Sequence, residues 1–231
     1  MQKSAEKQIF HIVYGLLRVI EKKGEMKMKK YMDIESIREA SIDAEAGTIS
    51  EPNYNGFIPG ERIVIQTMVN GRIGSFEYDA SKDHLIAYSE DDELDREHTN
   101  HGFWDYIQSL SAEEFREDCK YVPFGEWITH AGTEYEEGVY HKFFVFDIWN
   151  KRDLGWMDQD FVKEFCKRHH LEYVNTIYNG PFISWEHCRS FLNHHWKAKD
   201  LEEGIVIKSL DRLRKNGTHL PVYLKITNKI A

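Results

Sequence analysis

The sequence predicts an α+β fold of antiparallel sheets flanked by helices, and three observations point to it. Short β-prone runs recur between Gly, Asn and Asp punctuation, segments of helical periodicity lie among them, and no regular βαβ rhythm links the two. At 231 residues with 30% charged residues and no low-complexity tract, the chain can bury a sizeable core. One main domain is expected over residues 31–231, preceded by an N-terminal amphipathic helix or extension over 1–30.

The extension comes first. Ile9, Ile12, Val13, Leu16, Leu17 and Ile20 recur at helical spacing, and Met26 or Met28 could each begin a shorter chain. His11, Gly15 and Arg18 interrupt this stretch, which is too short for a bilayer, so no membrane span is expected. Ile34 to Ala40 reads as a short helix, followed by a connection rich in turn residues from Asn53 to Gly60. The runs at 63–69, 75–78 and 85–88 read as an antiparallel meander, with Asn70-Gly71 as a possible hairpin turn. Phe103 to Leu110 has helical spacing, and Ser111 with Glu114 forms a capping-box pattern. Strands are expected at 121–128, 142–149 and 204–209, and helices at 158–169 and 185–199.

Composition narrows the function classes. The three cysteines, Cys119, Cys166 and Cys188, support neither a disulfide framework nor a metal knuckle, which fits a reducing cytoplasm. A net charge of −9 argues against indiscriminate nucleic-acid binding. The charge is uneven, with a net of −7 from Glu77 to Glu97 and +5 from Gly204 to Ala231, so a phosphate-binding surface should draw on the C-terminal segment. Among the twelve histidines, the adjacent pairs His169-His170 and His194-His195 point to different helix faces, and His98 with His101 completes no known zinc pattern. Walker, dinucleotide and nucleophile-elbow motifs are absent.

The clearest chemical signal is Glu203-Gly204-Ile205-Val206-Ile207-Lys208, followed by Tyr223-Leu224-Lys225-Ile226. A carboxylate opening a strand that ends in lysine, with a second lysine-bearing strand downstream, can floor a nucleotide pocket, the acid toward metal and the ammonium groups toward phosphate. Read alone, the first segment could equally be an edge strand with a solvated lysine. Glu126 and Glu203 each adjoin glycine within apolar runs, where a charged side chain needs a partner.

These segments resemble the fourth and fifth motifs of the covalent nucleotidyltransferase ligases. Phe124-Gly125-Glu126-Trp127 resembles the third motif, and Phe143 to Ile148 the aromatic strand after it. Val64 to Gly71 stands where the family has its first motif: a lysine, two further residues, one usually Asp, His or Asn, and a glycine. The ordered pieces cover roughly residues 60 to 228, and the chain is most similar to the ATP-dependent RNA ligase branch. The resemblance implies the nucleotidyltransferase fold, with two antiparallel sheets and ATP between them. It also implies ATP and Mg²⁺ (or Mn²⁺) as cofactors and RNA ends as substrates.

In that family the lysine attacks the α-phosphorus of ATP and carries AMP on its nitrogen. Here the position holds Met68, whose thioether has no proton to lose and forms no phosphoramidate, although its reach is close to that of lysine. The resemblance assigns Asn70 and Gly71 to nucleotide binding, Glu126 to the ribose hydroxyls, Phe146 to adenine stacking, Glu203 to metal, and Lys208 and Lys225 to phosphate. Two departures accompany Met68: the arginine expected after the second strand is replaced by the run Tyr88-Ser89-Glu90-Asp91, and Tyr223 stands where a further lysine is common. The expected function is an RNA-ligase-type adenylyltransferase blocked in lysyl-adenylate formation, through an engineered or a natural replacement. The alternative is a noncatalytic nucleotide- or RNA-binding pseudoenzyme on the same fold. DNA ligation or RNA capping is a further alternative, but both generally need an added oligonucleotide-binding domain, for which the flanking segments leave little room.

Overall fold

The computed structural model describes residues 57–90, 92–131 and 133–193, together with strand segments at 35–36, 42–43, 48–49, 204–209 and 222–227. All of them belong to one unit, Ile34–Ala231. The expected helix within residues 1–30 lies outside the described residues.

Two sheets carry the fold. The first is built from β1 (Glu35–Ser36), β4 (Arg62–Thr67), β11 (Thr176–Pro181), β12 (Gly204–Ser209) and β13 (Val222–Thr227), in the spatial order β1-β13-β12-β4-β11. The second contains β5 (Arg72–Asp79), β6 (His84–Tyr88), β7 (Tyr121–Trp127), β8 (Phe143–Asn150) and β10 (Glu172–Tyr173), in the order β10-β8-β7-β5-β6, with β9 (Gly155–Trp156) paired to β8. A separate pair joins β2 (Ile42–Asp43) to β3 (Thr48–Ile49). Helices α1 (Phe103–Ser109) and α2 (Gln159–Arg168) pack on the second sheet, and α3 (Trp185–Arg189) lies near the first.

Alternation along the strands sorts the core. On β4 and β12, Ile63, Ile65, Ile205 and Ile207 form one cluster with Phe57, Phe182 and Cys188. On the second sheet Phe76, Phe143, Val145 and Trp127 pack with Phe103 and Ile107 of α1 and with Val162 and Phe165 of α2. A third cluster joins Val69, just past β4, to Ile128, Tyr135, Phe144 and Val174, with Phe146 against it. Helix α2 lies within the expected span 158–169: Asp158 caps it, its side chain accepting from the Phe161 N–H at 2.8 Å, and Lys167 and Arg168 occupy the last turn.

Several expectations are corrected. Strands β4, β5 and β6 do not form a meander, because β4 lies between β12 and β11 in the first sheet while β5 pairs with β6 and β7 in the second. Polarity along β4 cannot reveal this: five of its six residues are buried, as suits a central strand covered on both faces. Asn70-Gly71 is therefore a crossing between sheets rather than a hairpin turn. The expected helix at 34–40 gives way at Glu35–Ser36 to a strand parallel to β13, with Ser36 opposite Lys225, since an open sheet edge offers hydrogen bonds that a short helix lacks. That pair and β10·β8 are parallel, so the sheets are mostly rather than wholly antiparallel. Strand β11, which has no counterpart among the expected strands, ends in Asn179-Gly180-Pro181, and its edge position tolerates the proline. Ser111 makes no side-chain cap, and residues 112–115 form a 3₁₀ turn. The helix expected over 185–199 is α3 followed by a 3₁₀ turn at 190–193, and the rest lies outside the described residues.

Candidate nucleotide site

The site assembles where β4 of the first sheet hands the chain to β5 of the second. The Met68 N–H continues the ladder by donating to the Gly204 carbonyl at 2.9 Å, which fixes the residue at the mouth of β12. Two residues on, the Asn70 N–H donates to the Tyr135 hydroxyl at 2.8 Å, and that hydroxyl donates back to the Asn70 carbonyl at 3.3 Å. The Asn70 side chain reaches Thr133 Oγ1 at 3.5 Å. Gly71 lies so close to β7 that an added Cβ would stand 2.6 Å from the Trp127 carbonyl oxygen, so the close approach requires glycine.

Glu126 joins this turn directly, accepting from the Gly71 N–H at 3.1 Å through Oε2. Burial pushes its carboxyl up to about 8 against that hydrogen bond, and the Glu90 carboxylate adds to the rise. The ladder pairs Glu126 with Phe144, so both share the sheet face that carries Phe146 two residues further along β8. Phe146 is part-buried against the Val69 cluster. Met68, Asn70, Gly71, Glu126 and Phe146 thus belong to one region between the sheets.

Lys208 occupies a different setting. Its Nζ donates to Asp147 Oδ2 at 3.0 Å and to the Phe146 carbonyl at 2.9 Å, and it stands 5.7 Å from the centre of the Phe146 ring. The two side chains are 2% and 0% exposed, a fully buried ion pair. Burial holds the ammonium below the ordinary lysine range, with Asp147 opposing the shift. The carboxylate also accepts from Gln159 Nε2 at 2.8 Å, while Gln159 Oε1 accepts from Gln66 Nε2 at 3.0 Å and from the Tyr173 hydroxyl at 3.1 Å. Through this network β4 and β12 of the first sheet are tied to β8 and α2 beside the second. Sequence reasoning misses Asp147 and Gln159; a lone carboxylate inside the apolar run Phe143 to Trp149 is the signal that could have identified the first.

The backbone of Lys225 lies opposite Val206, whereas Glu203 lies outside the described residues. Among the described residues no set of three His, Cys, Asp or Glu side chains is placed to hold a metal. His169 instead stacks on Phe115 and bonds to Asp118 at 2.8 Å, a structural role, and His98 bonds to Asp95. Among the described residues, Gln66 Oε1 and Thr67 Oγ1, directly before Met68, are buried without a partner, as polar atoms awaiting a ligand or an ordered water would be. No helix among the described residues is long and apolar enough to cross a membrane.

The profile of the RNA ligase family matches residues 61–227, from the start of β4 to the end of β13. The chain belongs to the RNA ligase family. Its fold recurs in solved ligase structures: an archaeal ATP-dependent RNA ligase at 17% identity and a TM-score of 0.59, covering 87% of this chain and 48% of that one. A lysine-to-methionine mutant of Naegleria gruberi RNA ligase with AMP and Mn matches at 16% identity and a TM-score of 0.57, covering 87% and 56%. A putative ATP-dependent DNA ligase from Aquifex aeolicus matches at 18% and 0.55, covering 87% and 50%. At these identities the likeness is one of fold, the nucleotidyltransferase fold of ATP-dependent ligases. The chain spans about half the length of these solved structures. Among curated proteins none matches it.

Proposed function

We propose that this RNA ligase family chain binds ATP with a divalent cation, Mg²⁺ or Mn²⁺, and engages RNA ends, but does not carry AMP on its own side chain. The observation that carries the reading is Met68, at the end of β4 and hydrogen-bonded to Gly204, immediately before the turn that Glu126 and Tyr135 hold. A lysine there would sit on a rigid element, aimed by the ladder; a thioether there has no lone pair that yields a stable bond to phosphorus.

The remaining groups fit a nucleotide. Glu126, whose carboxyl burial pushes up to about 8, can hydrogen-bond ribose hydroxyls. Phe146 offers an aromatic ring on the same sheet face for adenine. We assign Lys225 and Glu203 to phosphate and metal from the resemblance, with Mg²⁺ or Mn²⁺ taking most of its ligands from phosphate oxygens and water. Lys208 acts on phosphate only if it leaves Asp147; in the present arrangement it braces the floor beneath Phe146. We also assign residues 31–231 to the domain and 1–30 to an appended segment, in a reducing cytoplasm that suits the free cysteines at 119, 166 and 188.

A noncatalytic pseudoenzyme, inactive even with a lysine at position 68, is the second reading, favoured by Glu90. Its negative charge acts on Glu126 in the region where the family places an arginine. Calorimetric titration with ATP and Mg²⁺ tests the proposal. Saturable binding with ATP recovered intact is expected, whereas no binding, or AMP covalently attached to the unaltered chain, contradicts it.

A further inference from the structure

We propose that the cavity lined by His101, Thr129, His130, Ala131 and His141 is a subsite for one nucleotide of a single-stranded RNA, with its base stacked on the His130–Tyr140 pair. The inference rests on the reading that this chain handles RNA, and it adds residues that none of the ligase motifs contains. The cavity has a volume of about 450 Å³, within the usual range of about 300–1,000 Å³ for small-ligand sites.

Three exposed imidazoles converge here from three separate segments: the turn before α1, the segment after β7 and the turn before β8. His130 lies flat on Tyr140 with ring centres 3.9 Å apart, and His141 meets His130 edge-on at 5.6 Å. The platform is anchored from below. The Tyr140 hydroxyl accepts from the Tyr135 N–H at 2.8 Å and donates to the Tyr135 carbonyl at 3.1 Å, and Trp127 donates from its indole to the His101 carbonyl at 3.0 Å. His101 and His141 are both held in the left-handed backbone region, with φ of 56° and 59°.

Position supplies the second argument. The Tyr135 hydroxyl binds the backbone of Asn70 and the Tyr135 backbone holds the Tyr140 hydroxyl, so the candidate nucleotide turn and the stacking platform share one buried residue. Arg72 pairs with Trp127 in the ladder and lines a neighbouring cavity of about 690 Å³ that shares His101. The two cavities adjoin at His101. Asp92 and Glu93 also line the larger cavity and discourage phosphate on their side, which favours a strand running by Arg72 and His101. Metal binding is the competing use of three histidines, but no three ligating side chains among the described residues are placed for it. Stacked rings and imidazole N–H donors suit a base and its sugar-phosphate, and stacking is tolerant of sequence.

The test uses the full chain and a fluorescently labelled single-stranded oligoribonucleotide with a 5′-phosphate, followed by anisotropy, with ATP binding measured in parallel. His130→Ala removes the exposed half of the stack, and His130→Phe preserves it. His141→Asn removes an imidazole while suiting the left-handed backbone. RNA affinity should fall about 5- to 150-fold in His130→Ala, the range expected for loss of one stacked base, and recover in His130→Phe, with ATP affinity unchanged. His141→Asn should weaken RNA binding in the same direction. Equal RNA affinity in all variants, or no RNA binding by the unaltered chain, overturns the subsite. Loss of ATP binding in the unaltered chain counts against the proposed function instead, and the RNA comparison still decides the subsite.

Discussion

Replacing Asp147 with alanine isolates the interaction that ties the two sheets together. The carboxylate is fully buried, the Lys208 ammonium is 2% exposed, and their atoms are 3.0 Å apart, so neither charge has water to fall back on. Without Asp147 the ammonium keeps the Phe146 carbonyl and the Phe146 ring, and Gln159 loses an acceptor at 2.8 Å. Removing one partner of such a pair costs about 3–5 kcal/mol, which for a chain of this size lowers Tm by roughly 6–20 °C. With Asp147 no longer opposing the effect of burial, Lys208 should shed its proton more readily in the fold than in the unfolded chain. The unfolded state then binds more protons, so the variant gains stability as pH rises toward the ordinary lysine value. Urea unfolding followed by tryptophan fluorescence at neutral and alkaline pH reads both effects. A deficit below about 1 kcal/mol that does not change with pH would contradict a buried pair, because it is what a solvated surface pair gives. The double variant Asp147→Leu with Lys208→Met should lose less than Asp147→Ala alone.

Three further outcomes follow from the candidate site. Glu126 has its folded-state carboxyl raised to about 8, so the fold binds its proton more tightly than the unfolded chain; stability is full at acidic pH and declines as pH rises toward that value. Glu126→Gln removes the decline, and its Tm relative to the parent should therefore increase between about pH 5 and 9; a constant gap in thermal melts contradicts the shift. Gly71→Ala places a Cβ 2.6 Å from the Trp127 carbonyl, and should cost about 1–3 kcal/mol in urea unfolding while weakening ATP binding in calorimetry; parent-like values in both measurements would show that the turn is not confined. Tyr135→Phe removes the hydroxyl that serves both Asn70 backbone groups and should cost about 1–3 kcal/mol, with faster amide exchange at Asn70. Unchanged exchange there would mean that the turn is held by other contacts.

Strand β12 is legible in the sequence because local pattern and local structure coincide. The run Gly204 to Ser209 is short, apolar and bounded by its motif, and it forms a buried central strand. Gly71 and Glu126 stand out through motif spacing, and their contact gives that spacing a physical cause. Sheet membership is not legible for β4, since a strand buried on both faces has no alternation to say which partners it takes. Nor is the pairing of Asp147 with Lys208, 61 residues apart, because a sequence indicates that a buried charge needs a partner without naming it. Strand β1 escapes a sequence reading for a similar reason: its conformation is decided by the edge of β13 rather than by its own periodicity.

The proposed function turns on Met68, which stands where the resemblance places the lysine of the RNA ligase family. Transfer of label from α-labelled ATP to protein, measured with Mg²⁺ on the chain as given and on Met68→Lys, decides whether that single replacement is the block. Labelled protein is predicted for Met68→Lys alone, with the AMP on the peptide containing residue 68. Label on the unaltered chain, or none on Met68→Lys although it binds ATP, would contradict this.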